Sequence, residues 1–522
     1  MIKSLLLAFI CLLPFHLFSQ PFHPELQALF DERLQPFYFG VASGDPLPDG
    51  VVIWTKIALQ TAEPQQVEWQ VATDTALQNV VQSGTVRTDT ASAFTVKIDV
   101  KNLQPGTTYF YRFKHQSVFS PIGRTKTAVS GDARLLRLAV VSCSDFQSGF
   151  YNAYEHIARR NDLDAVVHLG DYIYEYGPWR SSRRRMKRSS LRLHLPAKEL
   201  VVLKDYRTRY GQYRLDPQLM ECHRLHPFIV IWDDHETANN ANATGASNHD
   251  PGDGDWEKRK ATARQAYFEW LPIRDNPERS IIRQFSFGNL AELWMLDERL
   301  EARSPQVKDF DDPAVRSPDR YMLGEEQTKW LLDGMAASKA RWKIIGNQVI
   351  FSPLNDSKVF TRKPDIRMDR WDGYPVERQR IFDFWYQNQL RNIVVLTGDV
   401  HSAWALELTD DPWNPLKYDR KTGKGVIGAE FVTTSITSIN FDEVIPRFLT
   451  WEAKRRFCKK KNNPHLRYLD IVRHGYLEVT FTPEKVTSAW YFLDKKEVGK
   501  LKAKVKGERY LLFDGQQIRK GK

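Results

Sequence analysis

The stretch Val166-Val167-His168-Leu169-Gly170-Asp171-Tyr172-Ile173-Tyr174-Glu175 joins an apolar run to a Gly-Asp step, with a second tyrosine shortly after. An apolar run bounded by glycine reads as an inner strand of a parallel sheet, and open α/β sheets carry their chemistry just beyond the carboxyl ends of such strands. Asp171 therefore stands at a sheet edge as a candidate metal-bridging carboxylate.

Outward from this strand, residues 136–142, 163–170, 228–232, 342–350 and 392–398 have strand patterns. Helix-period segments lie between them at 150–160, 256–270, 325–338 and 376–390, the last two opened by Gly324-Glu325-Glu326 and by Pro375. Strand, helix, strand predicts a mainly parallel sheet covered on both faces. Runs 475–481 and 486–492 flank a Pro-Glu-Lys turn and predict a hairpin that completes a second sheet. The expectation for residues 134–495 is thus an α/β fold, a two-sheet α/β sandwich with its chemistry at one edge. Ahead of it, short alternating runs over 37–128 predict a β-sandwich domain at 34–128, followed by a polar linker at 125–132. Its Leu103-x-Pro105-Gly106-x-x-Tyr109 element resembles the tyrosine corner of fibronectin type III domains.

The 522 residues, 42% hydrophobic and 27% charged, fit a soluble protein of two domains or of one large domain with insertions. Residues 1–19 combine Lys3, an apolar stretch from Leu5 to Leu13 and a polar break at Ser19-Gln20. This reads as a Sec-type signal peptide, too short to span a bilayer, and predicts a periplasmic or extracellular product. It lacks a twin-arginine pair, and no other stretch approaches spanning length. The net charge is +11, with basic clusters at Arg183–Arg188, at Lys454–Lys461 and in an extension from 496 to 522. Such patches attract anionic substrates or surfaces, or are solvated loops; no nucleic-acid module accompanies them and no protein partner is inferable. Loss of the signal leaves Cys143, Cys222 and Cys458, and if Cys143 is a ligand the other two are free to pair.

Four strand ends carry possible metal ligands: Cys143, Asp171 with Tyr174, Asp233-Asp234-His235-Glu236, and Asp399 with His401. The fourth strand adds Asn347. Hydrolysis of a phosphate ester at neutral pH needs an attacking hydroxide and neutralised charge on the transferring group. Two cations about 3.5–4 Å apart supply both when a carboxylate lies between them. Thiolate and phenolate select a strongly polarising ion such as Fe(III), whereas Asp, Asn and carbonyl oxygens suit Ca(II), Mg(II) or Mn(II). Each residue also has a plainer reading. A strand-end aspartate is more often a helix cap, His168 a core histidine and Cys143 a buried small hydrophobe.

Phe39-Gly40-Val41-Ala42-Ser43-Gly44-Asp45-Pro46, Ser142-Cys143, Gly170-Asp171-Tyr172-Ile173-Tyr174-Glu175, Trp232-Asp233-Asp234-His235-Glu236, Ile345-Gly346-Asn347-Gln348-Val349 and Thr397-Gly398-Asp399-Val400-His401-Ser402 together resemble alkaline phosphatase D-type enzymes, within the calcineurin-like metallophosphatases. The resemblance runs co-linearly over residues 37–495. It implies a purple-acid-phosphatase-like core holding Fe(III) and Ca(II). Cys143 and Tyr174 would bind iron, Asp171 would bridge, and Asp234, Asp399 and His401 would complete the ligand set. Asn239 and Asn347 are candidates for the calcium side. His235 would contact the phosphate or protonate the leaving group. The sequence therefore predicts a secreted phosphoesterase acting on small phosphate mono- or diesters through a metal-activated hydroxide. A phospholipase D-type phosphodiesterase acting on phospholipid or nucleotide-derived diesters is the alternative within enzymes. A non-catalytic surface-binding protein is the alternative from another class. The acidic loop 248–255 reads as a solvated turn, with a further calcium site as the competing reading.

Overall fold

Every side chain of the strand Ala165–Leu169 is buried. It runs parallel to Leu136–Val141 on one side and to Pro227–Ile231 on the other, with Val166 opposite both Ala139 and Phe228. Covered on both faces, such a strand has no solvent side, so it is apolar without alternation. In the computed structural model, residues 22–521 are described except 60, 179–191, 357–367 and 516. The signal-peptide and Arg183–Arg188 readings lie outside the described residues.

Among the described residues the architecture is mixed α/β with three sheets. The first has ten strands: Ile518–Lys520, Lys504–Leu512, Lys485–Leu493, His474–Phe481, Leu136–Val141, Ala165–Leu169, Pro227–Ile231, Val41–Leu47, Gly50–Lys56 and Thr95–Val100 in spatial order. The second has seven: Arg283–Phe287, Ala291–Met295, Trp342–Asn347, Ile393–Thr397, Gly428–Val432, Ala403–Leu408 and Leu466–Asp470. Leu138, Val140 and Leu169 of the first sheet share one apolar cluster with Leu293, Ile344, Val394 and Phe431 of the second. Adjacent residues of the second sheet point the other way: Ile345 and Val395 pack against Leu331 and Met335 of the helix Gly324–Ala337 and against Ile381 and Trp385 of Pro375–Gln387. Period-two alternation thus gives the second sheet one face toward the first sheet and one toward helices.

The N-terminal strands divide between two sheets. Val41–Leu47, Gly50–Lys56 and Thr95–Val100 extend the ten-stranded sheet, because Ser43 and Gly44 pair in parallel with Pro227 and Phe228. A Cβ at Gly44 would lie 2.3 Å from the Pro272 carbonyl oxygen and 2.6 Å from that of Phe228, so this crossing requires glycine. Val80–Thr88, Gln65–Ala72, Thr108–His115, Val118–Phe119 and Gly123–Lys126 form a third sheet. Val41, Val51 and Ile53 meet Val67, Val71, Tyr111 and Phe113 in one cluster between these layers. Gln104 N donates to Tyr109 Oη at 2.8 Å, tying the Pro-Gly loop to its tyrosine.

Three expectations are corrected. The hairpin His474–Phe481 and Lys485–Leu493 joins the first sheet, with Leu477 opposite Val140, and not the second. Residues after Lys496 add Lys504–Leu512 and Ile518–Lys520 to that same sheet. The linker begins after Lys126, since Gly123–Lys126 pairs with Thr108–His115. The helices Leu203–Arg214 and Pro217–Leu225 and the strands Ala291–Met295, Ala403–Leu408 and Gly428–Val432 went unread. The first helix hides from hydropathy because its buried positions include Arg209, Tyr210, Tyr213 and Arg214.

Candidate metal centre

The carboxyl ends of Leu136–Val141, Ala165–Leu169 and Pro227–Ile231 in the first sheet and of Ile393–Thr397 in the second open onto one edge. Just past them, Cys143, Asp171, Asp399 and His401 have φ of 59°, 55°, 60° and 55°. Left-handed backbone at non-glycine residues costs about 1–3 kcal/mol each and persists only where the surroundings hold it. The Glu236 carboxylate supplies part of that hold, accepting from Asp171 N at 3.0 Å and Asp233 N at 2.8 Å. Ser144 N donates to Asp171 O at 2.9 Å, fixing the first two strand ends to each other. Gly170, with φ of 96°, lets the chain pass Asp233: a Cβ there would lie 2.4 Å from Asp233 N.

Cys143, Asp171 and His401 each place a potential ligand atom within 4.8 Å of the others, as do Asp171, Asp234 and His235, and Asp233, Asp234 and Asp399. Asp171 belongs to the first two sets and Asp234 to the last two. Tyr174 joins the Cys143 side: its hydroxyl donates to Asp171 Oδ2 at 2.9 Å, lies 3.4 Å from His401 Nε2 and accepts from Ser438 Oγ at 2.6 Å. Asp171 Oδ1 and Asp234 Oδ1 are buried without a hydrogen-bond partner. Buried polar atoms are rarely left unpaired, so these oxygens are open positions for cations. The donor set of thiol, phenol, imidazole and carboxylates fits metal ions at both ends of Asp171.

The electrostatics agree with that need. Burial pushes the Asp171 carboxyl well up, and Asp233, Asp234 and Glu236 push it further against His235. Burial and then Asp171 raise the Cys143 thiol, and the same two causes raise the Tyr174 phenol. Asp399 is raised by burial and by Asp233 and Asp369. These groups resist ionisation as they stand, and nearby cations invert that balance.

His235 lies at the rim of the second set. Burial disfavours its cation, but Asp234, Glu175 and Asp171 outweigh burial and raise its pKa well above the usual imidazole value. Its Nδ1 is 2.8 Å from Oε2 of Glu175, whose Oε1 accepts from Asn239 N at 2.7 Å and Asn248 Nδ2 at 2.8 Å. Among the described residues Nε2 has no hydrogen-bond partner, and the ring lies beside the Asp171 and Asp234 carboxylates.

Asn239 is placed beside this group through its backbone, on the loop that carries Asp234. Asn347 is not brought into the ligand sets: its Nδ2 donates to Val349 O and to Thr397 Oγ1, and its Oδ1 accepts from Trp371 Nε1 at 3.2 Å. That expectation is corrected, because its side chain is already engaged beneath the centre. Sequence reasoning missed Arg299, fully buried and paired with Asp233, with Asp369 at 2.7 Å and with Asp399 at 3.5 Å. It follows an unread strand, so nothing marked it. The clamping roles of Glu175 and Glu236 were also missed, although both stand inside quoted motifs.

The plainer readings hold elsewhere. Asp145 caps Phe146–Ser148 through Gln147 N at 3.1 Å. His168 is a core residue with its pKa lowered by burial to about 3. In the acidic loop, Asp255 caps the helix Trp256–Trp270 and Asp253 Oδ2 accepts from Asp250 N at 2.9 Å. Cys222 and Cys458 are both free, the first buried and the second exposed, so the suggested pairing is absent.

The family model for PhoD-like phosphatases matches residues 138–490, and that for the N-terminal domain of PhoD-like phosphatases matches residues 26–129. Alkaline phosphatase D of Bacillus subtilis (strain 168) is 37% identical over 490 residues, covering 88% of this chain and 78% of the relative. A solved structure titled "Structure of PhoD" aligns with a TM-score of 0.82 at 34% identity, covering 94% of this chain and 93% of that one.

Proposed function

The chain belongs to the PhoD-like phosphatase family and is a phosphoesterase, and from that premise we propose that Asp171 bridges two unlike metal ions at the strand-end centre. The observation that carries this reading is the membership of Asp171 in both the Cys143–His401 set and the Asp234–His235 set. Cys143, Tyr174, His401 and Asp171 would hold Fe(III), and Asp171, Asp234 and Asp399, with Asn239 as a further candidate, would hold Ca(II). Bound metals supply charge neutralisation and a strong nucleophile at neutral pH. Other divalent ions at the carboxylate-rich end are compatible with the same donors.

The protein's own groups do the rest. Arg299 offsets the charge of Asp233, Asp369 and Asp399, so these carboxylates can stay close together at low dielectric. Glu175 holds His235 cationic with its free N–H available, placing a hydrogen-bond donor and general acid beside the position where a leaving oxygen develops charge. Substrates are small phosphate mono- or diesters. The non-catalytic alternative falls with the family assignment. The phospholipase-type alternative drew on the Arg183–Arg188 loop, which lies outside the described residues. In domain terms, residues 34–128 contribute both the third sheet and one edge of the ten-stranded sheet, and the catalytic core read at 134–495 continues through Lys504–Leu512 and Ile518–Lys520. Among the described residues, no helix is long and apolar enough to cross a membrane. Export through the 1–19 signal to the periplasm or beyond is part of the same proposal.

The test is elemental analysis with a visible spectrum. Iron at about one per chain with a tyrosinate-to-Fe(III) band that vanishes in Tyr174→Phe is the expected result. Two zinc ions and a colourless protein would overturn the iron assignment.

A further inference from the structure

The helix Arg447–Phe457 turns two unlike faces to its surroundings. Thr450, Ala453 and Phe457 point inward, and Phe457 meets Trp404 edge-on at 5.0 Å in the cluster over the second sheet. The opposite face carries Phe448 and Trp451, 71% and 67% exposed, with Leu449 alongside and Val444, 56% exposed, on the turn before. Large aromatic side chains this open, one helical turn apart, are not covered by any described part of the chain.

The surrounding charge is predominantly basic: Asp442 and Glu443 precede Val444, and Glu443 is engaged by Lys495 at 2.8 Å. Residues 447–461 hold seven basic side chains and a single acid, Glu452. Glu452 is itself shared by Arg455 at 2.6 Å and Arg456 at 2.8 Å. Cations alone would suit any polyanion in water, but a polyanion gives Phe448, Leu449 and Val444 no apolar medium. A lipid interface accepts both parts, aromatic rings at headgroup depth and Lys or Arg beside the phosphates. We propose that this aromatic and basic face docks onto an anionic phospholipid surface.

The position gives docking a consequence. The segment leading into the patch contacts the candidate metal centre directly: Ser438 Oγ bonds Tyr174 Oη at 2.6 Å, His401 Nδ1 bonds Ile439 O at 2.7 Å and Asn440 Nδ2 donates to His401 O at 2.7 Å. Val444 follows four residues after Asn440. Docking therefore holds the phosphoesterase beside an interface rich in phosphate esters through a segment that also lines the centre.

The test is co-sedimentation of the full chain with equimolar phosphatidylcholine–phosphatidylglycerol vesicles and with phosphatidylcholine vesicles alone. Binding to the anionic vesicles is expected, weakened by salt. Phe448→Ser with Trp451→Ser is expected to lower the bound fraction about tenfold. Both residues are exposed, and unchanged hydrolysis of a soluble phosphate ester shows the variant folded. No binding by the parent chain overturns the proposal. So does equal binding by parent and variant, which indicates a charge-only polyanion site. So does a dimer in vesicle-free solution that the same substitutions dissociate, which assigns the face to a second copy. Sedimentation requires no turnover, so its failure leaves the hydrolytic reading untouched.

Discussion

Two groups of buried carboxylates lie near the same sheet edge and differ in what their oxygens meet. Glu236, Glu298 and Glu430 face backbone and side-chain donors: Glu298 accepts from Gln348 N at 3.0 Å, Val349 N at 2.9 Å and Trp371 Nε1 at 2.7 Å. Glu430 accepts from Phe351 N at 2.9 Å, Ser352 N at 2.8 Å and Thr397 Oγ1 at 2.7 Å. Asp234 lies close to both Asp171 and Asp399, and Asp171 Oδ1 and Asp234 Oδ1 accept no hydrogen bond, the latter having only the Arg299 guanidinium at 3.8 Å. Burial raises pKa values in both groups, to about 8 for Glu236 and for Glu298 and well up for Asp171 and Asp399, whereas for Asp234 burial is outweighed by His235 and Arg299, which hold it below the usual carboxylate range. A perturbed, buried acid is therefore no marker of chemistry by itself; the discriminating property is whether its lone pairs are already used.

Asp171→Asn should break this contrast most strongly. The amide keeps the shape and loses the bridging charge, so kcat on a soluble phosphate ester should fall about a thousandfold, with the thermal midpoint little changed. Retained turnover removes Asp171 from the bridge. Glu236→Ala should do the reverse in kind. Stranding the amides of Asp171 and Asp233 costs about 3 kcal/mol of stability, measured by denaturant unfolding, and activity is lost through the released backbone. An unfolding midpoint like the parent's would show that the glutamate is no clamp.

Asn347→Ala sharpens the boundary between the groups. It should cost about 1 kcal/mol through loss of the amide donor to Val349 O and Thr397 Oγ1, while metal content per chain stays as in the parent. Loss of one metal equivalent would restore Asn347 as a ligand.

The smallest expected effect belongs to Glu175→Gln. The pKa of His235 is raised above 6.5 in the fold, where burial is outweighed by Asp234, Glu175 and Asp171. Its cation therefore contributes stability that is fully present below the unfolded value and is lost as pH rises through the folded one. Removing the Glu175 charge lowers that folded value, so the alkaline limb of the kcat/KM profile should move about one pH unit toward neutral. An unmoved limb would take His235 out of the acid role.

The sequence was legible where local pattern carries the information. The strand ending at Leu169 is apolar because both faces are covered, and the Pro375–Gln387 helix begins at its proline. Asp145 illustrates the opposite case: the same residue type just past a strand end caps the short turn Phe146–Ser148, and spacing alone does not separate it from Asp171. Helix Leu203–Arg214 was invisible because its inward face is made of arginine and tyrosine. Arg209 there donates to the carbonyls of Tyr174, of Tyr176 at 3.0 Å and of Leu195 at 2.9 Å, holding the loop that carries the candidate iron ligand.

By itself the sequence determined the alternation of strands and helices and the order of the strand-end motifs. It also supplied the mixed set of thiol, phenol, imidazole and carboxylate donors, all properties written in neighbouring residues. The tertiary structure decided which donors converge, because Asp171 and His401 follow strands of different sheets and meet only when those sheets share a core. It also placed Arg299 among the acids, engaged Asn347 elsewhere and moved the C-terminal hairpin to the first sheet. Those outcomes depend on long-range pairing and packing, which no local periodicity encodes.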